Sequence, residues 1–507
     1  MLFWIQLKPK KKSKSENQER SDNLKVFKNF LYNVAYQILI MILPLITAPY
    51  IARVLGAELI GVYSYTHSIA YYFVLFAQLG LSVYGNRTVA QVRDNQDKLN
   101  YTFSSLYKLQ LLIAIISCVV YMTYVSGFAK HEYKVYFALQ FLYVISGVFD
   151  INWFYFGIEK FKLTVTRNTI IKILTVVLIL LLVKDKSDLS VYIVIMAGGV
   201  LLGQLAMWTQ LGKYVHFVRT EWKDSFKIFL PVLILFLPTI ATSLYRYMDK
   251  IMLGTMVTMD QLGYYENSEK FISIAMGVIN ALGTVMIPQM SNLISKGDIR
   301  KAREYLDKSI EGIYIIASPL AFGLASVATI LSVVFYGADF SPCGSIIPVL
   351  AVSLLFSAWA NVIRTQYLIP NTRDREYIIS MFCGAGANLI INFVLIPVVG
   401  AVGAAIGTVF AEAAVAIAHS FFVRKELPLL HYFKLIVPYV FIGGVMFGTI
   451  RFIITFAHNS VIWLCIVIAI GIISYGVMLI LYLCVSKGNY YTIMKSLFHK
   501  AIIRKNG

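Results

Sequence analysis

The chain has 507 residues, 58% of them hydrophobic and only 14% charged, with a mean hydropathy of +0.71. No soluble core hides that much apolar surface, and an outer-membrane barrel would alternate apolar and polar residues instead of running them together. A net charge of +19 on a soluble protein would point to nucleic acid. Here the cations fall between apolar runs, so they report membrane topology and no nucleic-acid partner is expected.

Residues 1–28 read as a basic cytoplasmic tail, because the opening run MLFWIQL is too short for a signal segment and leads into a lysine cluster. A hydrocarbon layer roughly 30 Å thick takes about 20 apolar residues per helix, and that ruler predicts fourteen spans. The first six lie at about 30–50, 60–84, 105–125, 135–157, 166–184 and 189–211, and make an N-terminal bundle over 29–211. A basic cytoplasmic linker follows at 212–225. Six more spans, at about 226–246, 268–290, 308–335, 345–369, 376–397 and 400–422, make a second bundle over 226–424. Two appended spans, about 433–456 and 461–485, fill 432–486 and lead to a basic cytoplasmic tail at 487–507. The longest outer loop is expected at about 247–267. With both termini in the cytoplasm, 34 of the 45 lysines and arginines fall inside, nine fall outside and two lie within spans. That asymmetry is what a multi-pass protein of the cell membrane requires.

The two bundles repeat one another. Leu55-Gly56 followed by Gly61-Val62-Tyr63 is matched by Leu253-Gly254 followed by Gly263-Tyr264-Tyr265, with Pro44 and Pro238 earlier in the two spans. Six spans is an even number, so the halves enter from the same side and are parallel repeats. The expected fold is an all-α polytopic membrane protein of about fourteen transmembrane helices. Two parallel six-helix bundles would enclose a central cavity, with two extra helices beside them.

Nothing points to catalysis. No P-loop is present, the histidines show no metal-ligand spacing, and the five cysteines form no CxxC pair, four of them lying inside apolar runs. Neither a metal nor a cofactor is expected. Charges at membrane depth are the informative residues, since each is costly unless paired or hydrated. The cations Lys270, Arg53, Lys250, Arg246, Arg87 and Arg364 are candidates to line a cavity for an anionic substrate. The acids Glu269, Asp249, Asp150 and Glu412 are candidates for ion coupling. A purely structural alternative stands beside each: a side chain snorkelling to the interface, or an ion pair that locks the bundle.

Several stretches carry a family resemblance: Leu43-Pro44-Leu45-Ile46-Thr47-Ala48-Pro49-Tyr50-Ile51-Ala52-Arg53-Val54-Leu55-Gly56, Gly80-Leu81-Ser82-Val83-Tyr84-Gly85-Asn86-Arg87, Asp249-Lys250-Ile251-Met252-Leu253-Gly254, Gly263-Tyr264-Tyr265-Glu266-Asn267-Ser268-Glu269-Lys270 and Gln366-Tyr367-Leu368-Ile369-Pro370. In combination they resemble the Wzx-type flippases that carry O-antigen, capsule and exopolysaccharide repeat units, in the superfamily that also holds the MATE drug exporters and the lipid II flippases. Arg364 departs from the apolar residue usual there. The resemblance implies an undecaprenyl-pyrophosphate-linked oligosaccharide as substrate, flipped from the cytoplasmic to the outer leaflet. It also implies membrane lipids as neighbours, a polysaccharide polymerase and assembly proteins as partners, and an ion gradient or downstream polymerisation as the energy source. A MATE-type ion-coupled multidrug exporter is the alternative, and it would need an acidic or apolar cavity in place of a basic one.

Overall fold

The computed structural model describes residues 14–456 and 458–486. Of the two basic tails, 1–13 and 487–507 lie outside the described residues. Residues 14–28, read as tail, belong to the first helix.

That helix, α1 (Lys14–Gln78), is two helices merged across a kink at Gly56, whose φ of 77° is open to glycine but strained for other residues. The N-terminal half continues through α2 (Leu81–Val92), α3 (Gln96–Gly127), α4 (Lys134–Ser146), α5 (Asn152–Gly157), α6 (Phe161–Leu182) and α7 (Leu189–Leu211). A short α8 (Trp222–Lys227) lies in the connection to the C-terminal half. There α9 (Phe229–Met256), α10 (Met259–Ser295), α11 (Ile299–Tyr336), α12 (Cys343–Ile363), α13 (Asp374–Val399) and α14 (Ala401–Val423) follow. The last two are α15 (Leu429–Ile454) and α16 (Val461–Ser486). No strand occurs among the described residues.

Among the described residues, twelve helical stretches are long and apolar enough to cross a membrane, against fourteen expected. Two local features account for the difference. The first two spans form one stretch, Leu43–Val92, with the kink at Gly56 where a loop was expected. The fourth span, 135–157, is broken between α4 and α5. Asp150 causes the break: its Oδ1 accepts from the Asn152 backbone N–H (3.0 Å) and its Oδ2 from Gln78 (2.6 Å). Gln110 donates to the freed carbonyls of Gly147 (3.1 Å) and Asp150 (2.8 Å). Irregular backbone at membrane depth is tolerated where protein groups satisfy it in this way.

The expected outer loop at 247–267 is also absent. Only Val257 and Thr258 separate α9 from α10, so its polar residues sit on two antiparallel helices. A polar run looks like a loop by composition, but it stays helical when it faces a protein-lined cavity instead of lipid.

The halves meet through α1, which packs along α9 and α10. The crossing is reciprocal. A Cβ on Gly61 would stand 1.9 Å from the Met259 carbonyl oxygen, and a Cβ on Gly263 would stand 1.9 Å from that of Ala57. The same offset of 202 residues relates Ser64 to Glu266, which hydrogen-bond across the crossing at 2.7 Å. Each glycine therefore meets the counterpart of the residue that the other glycine meets, the reciprocal contact expected of two parallel bundles related by an axis along the membrane normal. Within the second half α13 packs on α14 and α9, and α12 on α10, α11 and α14. The appended α15 and α16 lie against α11, where Ser318 donates to the Tyr439 carbonyl (2.7 Å).

Candidate functional site: a charged cavity between the two bundles

The short α9–α10 turn sets Lys250 about two helical turns before it and Glu266 two turns after it, so the two face each other. Lys250 Nζ lies 2.7 Å from Glu266 and 2.9 Å from Glu269. Ser64 of α1 donates to the same Glu266, tying the pair across the junction. Lys270 follows one turn after Glu266; its Nζ donates to Asn267 Oδ1 at 3.0 Å, and it makes no direct ion pair among the described residues.

These groups line a cavity of about 470 Å³ between the bundles, walled by Pro44 and Ala48 of α1, Arg246, Tyr247 and Lys250 of α9, Glu266, Glu269 and Lys270 of α10, and Phe335 and Tyr336 of α11. An adjoining pocket of about 300 Å³ extends into the N-terminal bundle past Tyr63, Ser64, His67 and Tyr192, with Lys250, Glu266 and Lys270 again on its wall. Three cations thus face two carboxylates. Because Lys250 already bridges both carboxylates, Lys270 and Arg246 are left to meet an anion from outside.

Asp249, one residue from Lys250 and so about 100° around the helix, points into the C-terminal bundle. Its carboxylate accepts from Asn392 (2.6 Å), Tyr265 (2.7 Å) and Thr408 (2.9 Å), all neutral donors. Asp249 lines a separate chamber with Arg246, Glu269, Arg364 and Glu412. Seven of the ten candidate residues thus gather in two adjoining spaces: Lys250, Lys270, Arg246, Glu269, Asp249, Glu412 and Arg364.

Three candidates lie elsewhere. Arg53 is exposed and donates to the carbonyls of Val334 (3.0 Å) and Phe335 (3.3 Å), at the C-terminal end of α11, where the helix dipole favours a cation. Arg87 is exposed on α2, beyond the end of α1. Asp150 shapes the α4–α5 break. Sequence reasoning missed Glu266, although its spacing of three and four from Glu269 and Lys270 puts all three on one helix face. It also missed Asn392 and Thr408, neutral residues that no charge count flags; a polar pair Asn388 and Asn392 four apart in an apolar span was the available signal.

The family described as "Polysaccharide biosynthesis protein" matches residues 26–294. A protein of Escherichia coli (strain K12) described as "Putative O-antigen transporter" is 22% identical over 419 residues, covering 80% of this chain and 98% of that protein. A Haloferax volcanii protein described as "Probable low-salt glycan biosynthesis flippase Agl15" is 23% identical over 440 residues, covering 85% of this chain and 91% of its own. Among solved structures, "Lipid II flippase MurJ, inward closed conformation" superposes with a TM-score of 0.73 at 17% identity, over 90% of this chain and all (100%) of that one. An inward-facing MATE-family multidrug transporter gives 0.52 at 16% identity, over 78% of this chain and 98% of that one. Both likenesses concern the fold.

Proposed function

The chain belongs to the polysaccharide biosynthesis protein family, and from that membership we propose that it flips lipid-linked oligosaccharides across the membrane. It acts as a transporter and not as a catalyst, in line with relatives described as transporters and flippases. The observation that carries the reading is the cavity between the bundles, where Lys270 stands on the wall without an ion-pair partner among the described residues. A diphosphate headgroup entering the membrane needs such a cation, since unpaired charge there is costly.

The finer reading is an undecaprenyl-pyrophosphate carrier moved from the cytoplasmic to the outer leaflet. Lys270 and Arg246 engage the diphosphate, and the lipid tail stays in the bilayer. The bundles 29–211 and 226–424 rock about the α1–α10 crossing to expose the cavity to either side. Asp249 is the coupling acid: a carboxylate at membrane depth held by neutral donors has room to exchange a proton or a cation. A polysaccharide polymerase and assembly proteins take the product onward. Support for a lipid flippase over a drug exporter comes from the family and from relatives described as an O-antigen transporter and a glycan flippase.

Expression in a strain lacking its own repeat-unit flippase tests the reading. Surface polysaccharide should return, with resistance to cationic dyes unchanged. Dye resistance without polysaccharide would move the reading to the multidrug exporters.

The charge asymmetry supports a reading with both termini in the cytoplasm. A cysteine at Lys98 or Lys296 should therefore be shielded from an impermeant thiol reagent in intact cells, and one at Thr258, on the exposed α9–α10 turn, should be labelled. Labelling at 98 or 296 would contradict this orientation.

A further inference from the structure

The central cavity has a side chamber of about 370 Å³ inside the C-terminal bundle, and the two share Arg246, Glu269 and Ser273 as wall residues. That volume falls in the range of small-ligand sites, roughly 300–1,000 Å³. Its charges do not balance internally. Asp249 is held by three neutral donors, and Glu269 is paired with Lys250. Among the described residues, neither Arg246 nor Arg364 forms an ion pair.

Arg364 opens a five-residue π-helical turn, Arg364–Leu368, that follows α12. Such turns interrupt the regular helix and occur frequently at functional sites. Arg364 Nη2 reaches Asn280 Oδ1 only at 3.5 Å, its Nε has no partner, and its guanidinium lies 5.9 Å from the centre of the Tyr377 ring. A second observation is independent of the arginine. His419 on the same wall is 1% exposed, and neither of its ring nitrogens has a hydrogen-bond partner. A part-buried guanidinium whose Nε has no partner and a buried imidazole without a hydrogen bond, both on the wall of one chamber, mark a place for a ligand that accepts hydrogen bonds and carries negative charge.

A planar guanidinium fork matches a carboxylate. One fork beside neutral hydroxyls (Ser353, Ser357), an amide (Asn280) and an aromatic ring suits a polyhydroxylated ring with a single negative charge better than a diphosphate. We propose that this chamber binds the carboxylate of an acidic sugar in the lipid-linked oligosaccharide, with Arg364 as the specificity-determining residue. The proposal rests on the flippase reading and deepens it: the central cavity takes the diphosphate, and the side chamber reads the glycan.

The test uses the purified full-length chain in nanodiscs, titrated with D-glucuronate, with D-glucose as the neutral counterpart, and with chloride as a free inorganic anion. Heat of binding and thermal stabilisation are both read. Glucuronate should bind and stabilise, glucose should do neither, and chloride should compete weakly. Arg364→Gln should weaken glucuronate binding at least tenfold with an unchanged size-exclusion profile. Arg364→Lys, which keeps the charge but loses the fork, should fall between Arg364→Gln and the parent. Equal binding of glucose and glucuronate, or an Arg364→Gln protein that titrates like the parent, would overturn the proposal. So would chloride reproducing the whole effect, which would make this a site for a free anion. Binding is read without flipping, so a chain that fails to restore surface polysaccharide yet binds glucuronate through Arg364 would sink the transport reading and not the chamber.

Discussion

Lys270→Ala is expected to abolish surface polysaccharide in the complemented strain, with the protein still inserted and at parental abundance. Lys270 makes no ion pair of its own among the described residues: its one direct polar contact is a hydrogen bond to Asn267, while the neighbouring Lys250 already satisfies Glu266 and Glu269. Removing it therefore leaves no buried carboxylate stranded, and loss of function cannot be put down to a broken ion pair. Lys270→Arg should keep partial function, because the charge remains while a planar fork replaces a compact ammonium. Blots for the protein and for surface polysaccharide in the same cells give the answer. Parental polysaccharide from Lys270→Ala at equal expression would remove the leading residue from the mechanism.

The largest effect on stability is expected from Lys250→Met. Lys250 Nζ bridges two carboxylates at 2.7 and 2.9 Å, and its side chain is only 12% exposed. Without it Glu266 and Glu269 face each other one helical turn apart in a poorly hydrated space. Removing one member of a buried ion pair typically costs about 3–5 kcal/mol, because the charge left behind is uncompensated. Thermal unfolding in detergent, followed by tryptophan fluorescence, should show a markedly lower midpoint. Lys250→Met combined with Glu266→Gln and Glu269→Gln removes all three charges and should recover most of that loss. A parental midpoint for Lys250→Met alone would mean that the triad contributes little to stability.

Residues of the central cavity were legible in the sequence to the extent that charge at membrane depth is rare. Lys250, Glu269, Lys270 and Arg246 stood out for that reason and come together on one hairpin. The all-helical fold and the parallel repeat were legible from apolar runs and from the paired glycine strings, which prove to be the places where the two halves touch. Long-range partners were not legible. Nothing in the sequence near Arg53 signals that it reaches carbonyls 281 and 282 residues away, and a charge count treats it like Lys270. Neutral polar residues also escape such a count, which is why Thr408 and His419 on the wall of the C-terminal chamber, and Asn392 that holds its Asp249, do not stand out in the sequence. Composition likewise cannot separate a polar loop from a polar helix face, and the α9–α10 hairpin was misplaced on that account.

Rocking of the two bundles about the α1–α10 crossing is the central mechanical claim, and locking it is the most direct test. Arg53 joins α1 to the end of α11, so cysteines at Arg53 and Phe335, in a background freed of the five native cysteines, place one thiol on each half. In proteoliposomes carrying a labelled undecaprenyl-pyrophosphate oligosaccharide, a short reducible cross-linker between them should stop transfer of the label to the other leaflet, and reduction should restore it. Transfer at the unlocked rate after complete cross-linking would contradict the account.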